Sequence, residues 1–137
     1  VELSRSMYAI AMGCPTAQCV GIELSGRCPD TYIRYLNQCA NASVVMGTLT
    51  EHWLLMNRTR KIDFLHVDAD HHYHSVLSDV CLALPLMNKN SIIVMDDVGH
   101  DGPRKVFEML NLPKIAFTPE SPPAIHGSNG YGVLLVV

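Results

Sequence analysis

The chain has 137 residues, a one-domain length that buries about two thirds of its unfolded surface on folding. Its 48% hydrophobic and 17% charged residues describe a globular chain, not a disordered one. A net charge of -3, with Lys and Arg scattered along the chain, supplies no attraction for polyphosphates or anionic lipid, so neither nucleic acid nor a membrane surface is expected as a partner.

In chain order, short apolar runs bounded by turn residues predict strands buried on both faces at Gln18 to Leu24, Ser43 to Met46, Ile62 to Val67, Ser91 to Met95, Lys114 to Thr118 and Tyr131 to Val137. Val1-Glu2-Leu3 reads as the stub of a further strand. Between them, Val76, Leu77, Val80, Cys81 and Leu84 recur at helical spacing and stop at Pro85. Weaker helical patterns cover Asp30 to Ala40 and Pro103 to Leu110, the second opening with proline in its first turn. Alternating strands and helices call for right-handed crossovers into a mostly parallel sheet. The last two strands are joined only by Pro119 to Gly130, which has no helical period, and are expected to pair antiparallel.

Five cysteines, Cys14, Cys19, Cys28, Cys39 and Cys81, are odd in number and never form a C-x-x-C pair. Buried reduced thiols are expected, together with a cytoplasmic location, and not a disulfide framework or a zinc ribbon. Asn41-Ala42-Ser43 and Asn57-Arg58-Thr59 match the glycosylation sequon, which matters only in a secreted chain. No apolar run approaches the ~18 residues of a membrane span, and the first residues lack the plan of a signal peptide.

In an open α/β sheet the ligand crevice lies beyond the carboxyl ends of the strands. Three acidic features fall at such ends: Glu23, Asp68-Ala69-Asp70, and Asp96-Asp97. Carboxylates gathered at one rim raise each other's pKa unless something positive sits among them. A hard cation such as Mg²⁺ resolves this with oxygen ligands and keeps positions open for substrate. Asp68, Asp96 and Asp97 are the expected cation ligands, against the blander reading of Asp96 and Asp97 as solvated loop residues. Asp70 is read as a helix N-cap. Glu23 is placed to accept hydrogen bonds from ribose hydroxyls, an ordinary surface glutamate being the alternative. His71, three residues after Asp68, can lean over the same rim as a general base, or lie solvated at a helix start, or join His74 in a site for a softer metal. His66, inside a strand, is read as a satisfied core histidine.

Taken together these residues resemble the class I S-adenosylmethionine-dependent O-methyltransferases, in particular the metal-dependent branch that includes catechol O-methyltransferase and macrolide-sugar methyltransferases. Ile62-Asp63-Phe64-Leu65-His66-Val67-Asp68-Ala69-Asp70-His71 is similar to that branch's fourth strand and metal loop. Ser91-Ile92-Ile93-Val94-Met95-Asp96-Asp97 is similar to its fifth strand, and Val20-Gly21-Ile22-Glu23-Leu24 to its second.

The resemblance implies a Rossmann-like α/β fold: a mostly parallel seven-stranded sheet with helices on both faces and a C-terminal antiparallel hairpin. It implies one domain over residues 1–137, without the helices that usually precede the first strand. It also implies Asp68, Asp96 and Asp97 as metal ligands and His71 as catalytic base. Glu2, Ser4, Glu23, Leu24, Gly47, Thr48 and Ala69 would line the cofactor, with Gly47 and Thr48 near the adenine. The cofactors implied are S-adenosylmethionine and Mg²⁺ or a similar divalent cation, and the acceptor is a small-molecule hydroxyl; a homo-oligomer is compatible with this.

One departure stands out. The family's glycine-rich first loop should follow Val1-Glu2-Leu3, where Ser4-Arg5-Ser6 stands without glycine. That favours, as the alternative, a methyltransferase-like module that has lost catalysis and serves in binding or structure. An Asp-x-Asp phosphatase or sugar-nucleotide glycosyltransferase is a further reading. The phosphatase pattern, however, wants Thr or Val where His72 stands and carries its Asp-x-Asp on the first strand.

Overall fold

A computed structural model describes residues 3–23, 38–52, 61–68, 70–117 and 130–137. The expected helix at Asp30 to Ala40 falls largely outside these residues, as do Cys28, the sequon at Asn57 and nearly all of the Pro119 to Gly130 segment. By internal contacts the chain divides into two compact units, Val1–His52 and Trp53–Val137.

The first unit opens with α1, Leu3–Gly13, followed by β1, Cys19–Glu23, and β2, Ala42–Met46. The strand expected at Val1 to Leu3 is therefore not formed at Leu3, and Ser4-Arg5-Ser6 lies within a helix instead of a cofactor loop. A tripeptide such as Val1-Glu2-Leu3 is too short for its period to separate strand from helix. Strands β1 and β2 pair in parallel from Cys19 opposite Ala42 to Glu23 opposite Met46. Asn41 secures this unit: its side-chain amide lies 3.1, 3.2 and 2.9 Å from the carbonyl oxygens of Ala11, Cys14 and Ala17. The end of α1 is thereby tied to the start of β2.

The second unit contains β3, Ile62–Val67; α2, Tyr73–Ala83; β4, Met87–Asp96; α3, Asp101–Met109; β5, Lys114–Phe117; and β6, Tyr131–Leu135. A short 3₁₀ turn, Leu84–Leu86, carries the Pro85 that ends α2. The sheet runs in the order β3-β4-β6-β5. β3 and β4 are parallel, while β6 pairs antiparallel with both β4 and β5, which is the expected terminal hairpin. β4 begins four residues before the expected strand. Asn90 at a φ of 65° marks an irregularity there, and the register with β3 shifts between Ile62 and Phe64.

Alternation along β4 turns Ser91, Ile93 and Met95 inward. Ile93 and Met95 meet Val76 and Val80 of α2, Val106 and Phe107 of α3, and Leu134 of β6 in an apolar core. Burial on both faces is not what these residues have: Phe64, Ile92 and Leu135 on the opposite face stay exposed. Gly132 belongs to the packed face, since a Cβ there would stand 2.5 Å from the Phe107 ring. Lys114 closes α3, its Nζ donating to the carbonyls of Phe107, Glu108 and Leu110 at 2.6–2.8 Å. No helix among the described residues is long and apolar enough to cross a membrane. The described cysteines are free thiols, but only Cys39 is buried; Cys14 and Cys81 are exposed.

Candidate acidic site at the strand ends

Parallel pairing of β3 and β4 sets His66 opposite Val94 and Val67 opposite Met95. One further step brings Asp68 level with Asp96. Because alternate residues of a strand share a face, His66 and Asp68 project to the same side. Ligand atoms of His66, Asp68 and Asp96 all lie within 4.8 Å of one another, each residue being half-buried.

Asp97 is held differently. It adopts a φ of 56°, a left-handed conformation that Asp tolerates better than most residues. The chain turns there, the His100 N–H donating to the Asp97 carbonyl at 2.8 Å and the Asp97 N–H to Asp96 Oδ1 at 2.8 Å. The Asp97 side chain is buried, and its Oδ2 lies 2.8 Å from His71 Nε2. The His71 ring stacks on His100 with centroids 4.9 Å apart. His71, Asp97 and His100 thus make a second group whose ligand atoms lie within 4.8 Å.

The three expected cation ligands are near neighbours, but they divide between the two groups. His66 and His100 were not singled out as ligands by the sequence. A signal existed for His66 in its i, i+2 relation to Asp68; for His100 the turn alone decides its position.

Electrostatics separates the acids further. Burial first, and then the Asp96 carboxylate, push the Asp68 carboxyl up from its ordinary value; Asp97 adds to the rise while His66 and His71 oppose it. Asp70 goes the other way. Ser75 hydroxyl donation chiefly lowers its pKa, helped by the His72 ring and the backbone N–H groups of His71 and His72. The N-cap position belongs to His72 and not to Asp70 as expected; Asp70 lies two residues before it and accepts from the His71 and His72 N–H groups, which precede the first helical turn. A raised pKa does not by itself mark a site. Asp79 on α2 is also raised, by burial and then by Asp70, yet it belongs to neither ligand group.

In the first unit Glu23 ends β1, its carbonyl accepting from the Gly47 N–H at 2.8 Å. Gly47 has a φ of 130°, and a Cβ there would approach Glu51 Oε2 to 2.6 Å, so glycine is required. Thr48 forms a capping box with Glu51. Glu51 Oε2 accepts from the Thr48 N–H at 2.6 Å and its hydroxyl at 3.1 Å, and Thr48 Oγ1 accepts from the Glu51 N–H at 3.2 Å. Of the other expected cofactor residues, Ser4 lies in α1, whereas Glu2, Leu24 and Ala69 lie outside the described residues.

A methyltransferase-domain family profile matches residues 6–98, from α1 through the Asp96-Asp97 pair. The chain belongs to the methyltransferase-domain family. Its α/β fold is Rossmann-like and is shared with solved methyltransferases. TomG from Streptomyces achromogenes, an O-methyltransferase in complex with SAM, is similar at a TM-score of 0.73 and 20% identity, over 96% of this chain and 67% of that one. An O-methyltransferase from Bacillus cereus in complex with SAH is similar at 0.68 and 18%, over 86% and 62%. Cofactor-bound Rv0187 from MTB is similar at 0.75 and 19%, over 96% and 67%. The chain therefore spans 62–67% of the length of these structures. No curated protein matches it in sequence.

Proposed function

We propose that this chain carries the methyl-transfer centre of an S-adenosylmethionine-dependent O-methyltransferase acting on a small-molecule hydroxyl with the help of a divalent cation. The supporting observation is the half-buried pair of carboxylates, Asp68 and Asp96, at adjacent parallel strand ends, with Asp68 raised by burial and by its neighbour. Such crowding is unfavourable in isolation and is relieved by a cation, and the oxygen donors fit a hard one. Asp68 and Asp96 would hold it, with Asp97 beside them.

When bound, the cation acts as a Lewis acid on the acceptor hydroxyl, and the cofactor supplies an already reactive methyl group. The chain's own residues position and move the proton. With Nε2 turned to Asp97, His71 keeps Nδ1 as the lone pair that takes the hydroxyl proton. Buried Asp97, 2.8 Å from Nε2, fixes the ring's orientation. Glu23 would accept the cofactor's ribose hydroxyls, with Gly47 and Thr48 toward the adenine. The single domain and a cytoplasmic location belong to this same reading, whereas the described strands form a two-stranded and a four-stranded sheet and not the expected seven-stranded one.

The non-catalytic alternative drew its support from Ser4-Arg5-Ser6 as a degenerate cofactor loop. That segment is helical, so it is not a cofactor loop of either kind and does not decide between the two readings. Calorimetric titration with S-adenosylmethionine, with and without Mg²⁺, tests the proposal. Cofactor binding is expected in both cases, with turnover of a catechol or sugar-hydroxyl acceptor abolished by chelator. Undiminished turnover in chelator would rule out the cation.

A further inference from the structure

We propose that His71, Asp97 and His100 form a second cation site, for a borderline transition metal of the Zn²⁺ type, separate from the oxygen-rich set at Asp68 and Asp96. Two imidazoles and one carboxylate form the donor set of open zinc sites, whereas Mg²⁺ selects oxygen. The two groups share no ligand.

The present spacing is close to what such an ion needs. Bonds of about 2.0–2.1 Å in tetrahedral geometry set ligand atoms about 3.3 Å apart. His71 Nε2 and Asp97 Oδ2, now at 2.8 Å, would open by roughly half an ångström to meet that spacing. Within the 4.8 Å limit on the group, His100 would close by at most about 1.5 Å. Both imidazoles are exposed and can make such adjustments by small side-chain rotations, while the carboxylate stays buried.

The frame behind the ligands is built. Asp97 is set by its left-handed backbone, and the turn bond from the His100 N–H to its carbonyl ties those two ligands together. The next residue is anchored as well, the Val98 N–H donating to the Gly130 carbonyl at 3.2 Å. His71 is fixed by its N–H bond to Asp70 at 2.7 Å. Gly102 in the first turn of α3 packs so closely that a Cβ would stand 2.0 Å from the His71 carbonyl oxygen. Three protein ligands leave a fourth position for water or an exogenous donor.

Ligation engages His71, so occupancy would withdraw the base assigned above and inhibit methyl transfer. That consequence alone rests on the proposed function; the binding itself does not.

The test is calorimetric titration of the chain with ZnCl₂ and, separately, MgCl₂, on wild type, His100→Ala and Asp68→Ala. One Zn²⁺ per chain is expected, weakened about ten-fold or more by His100→Ala and unchanged by Asp68→Ala, with Mg²⁺ showing the reverse dependence. Co²⁺ absorbance then reports the donors: d–d bands without thiolate charge transfer are expected. Absence of Zn²⁺ binding, Zn²⁺ binding indifferent to His100→Ala, Zn²⁺ binding lost in Asp68→Ala, or thiolate bands with Co²⁺ would each overturn the site. Failure of methyl transfer with every acceptor would count against the proposed function, whereas the Zn²⁺ titration reads the site without turnover.

Discussion

Two parallel strand pairs, β1–β2 and β3–β4, end in acidic residues, and the acids there meet opposite fates. Five residues past the end of β2, Glu51 is satisfied by the Thr48 backbone and hydroxyl, which lower its pKa. At the end of β3, Asp68 is half-buried beside Asp96 and its pKa rises. Local hydrogen bonding stabilises the first carboxylate within its own turn. The second is opposed by burial and by Asp96, with only His66 and His71 acting in its favour. The difference separates an acid that is satisfied within its own turn from one whose crowding the proposed cation would relieve.

The largest expected effect breaks the second region. Asp68→Ala should abolish Mg²⁺-dependent turnover while leaving much of the S-adenosylmethionine affinity, read by calorimetry and a methyl-transfer assay. Retained turnover would show that the crowding at β3–β4 is incidental.

Gly102→Ala comes next. Its Cβ meets backbone and not a flexible side chain, so the loop carrying His71 must shift; a destabilisation of about 1–3 kcal/mol is expected in denaturant melts. A neutral result would mean that His71 is not pinned to α3.

Thr48→Ala should cost about 1 kcal/mol by removing the capping box. It sharpens the contrast: if stability is unchanged but cofactor affinity falls, the first region is a binding rim and not a structural cap.

The smallest effect concerns pH. Because the folded pKa of Asp68 is raised, its favourable contribution is present below the ordinary value of 3.8 and is lost as pH rises through the folded pKa. In chelator at pH 7, Asp68→Asn should therefore raise Tm, by on the order of a few degrees or less, with no gain below pH 3.8. Asp70, whose pKa is lowered, should behave oppositely. Its contribution is present above 3.8 and lost as pH falls through the folded pKa, so Asp70→Asn should flatten the acid limb of the stability curve.

Much of this molecule was legible beforehand. The strands Ile62–Val67 and Tyr131–Leu135 follow from apolar runs between turn residues, and the stop of α2 follows from Pro85. Strand ends carrying acids are visible in any sequence in which an apolar run gives way to Asp. The strand expected at Val1 to Leu3 gives way to helix at Leu3, three residues carrying no period, and β4 runs longer than expected because its first residues are polar around an irregularity at Asn90.

What the sequence by itself determined is which residues can meet. Strand period and parallel pairing bring Asp68 level with Asp96, and alternation puts His66 on the same side. What only the tertiary structure decided is how the acids divide. The left-handed turn at Asp97 swings its carboxylate onto His71, the close approach of Gly102 holds His71 there, and the turn bond from His100 brings in a second imidazole. Those contacts depend on a backbone angle and on the packing of α3 against the loop before α2. Residue spacing along the chain encodes neither, which is why Asp68, Asp96 and Asp97, read together from the sequence, divide between two side-chain groups in space.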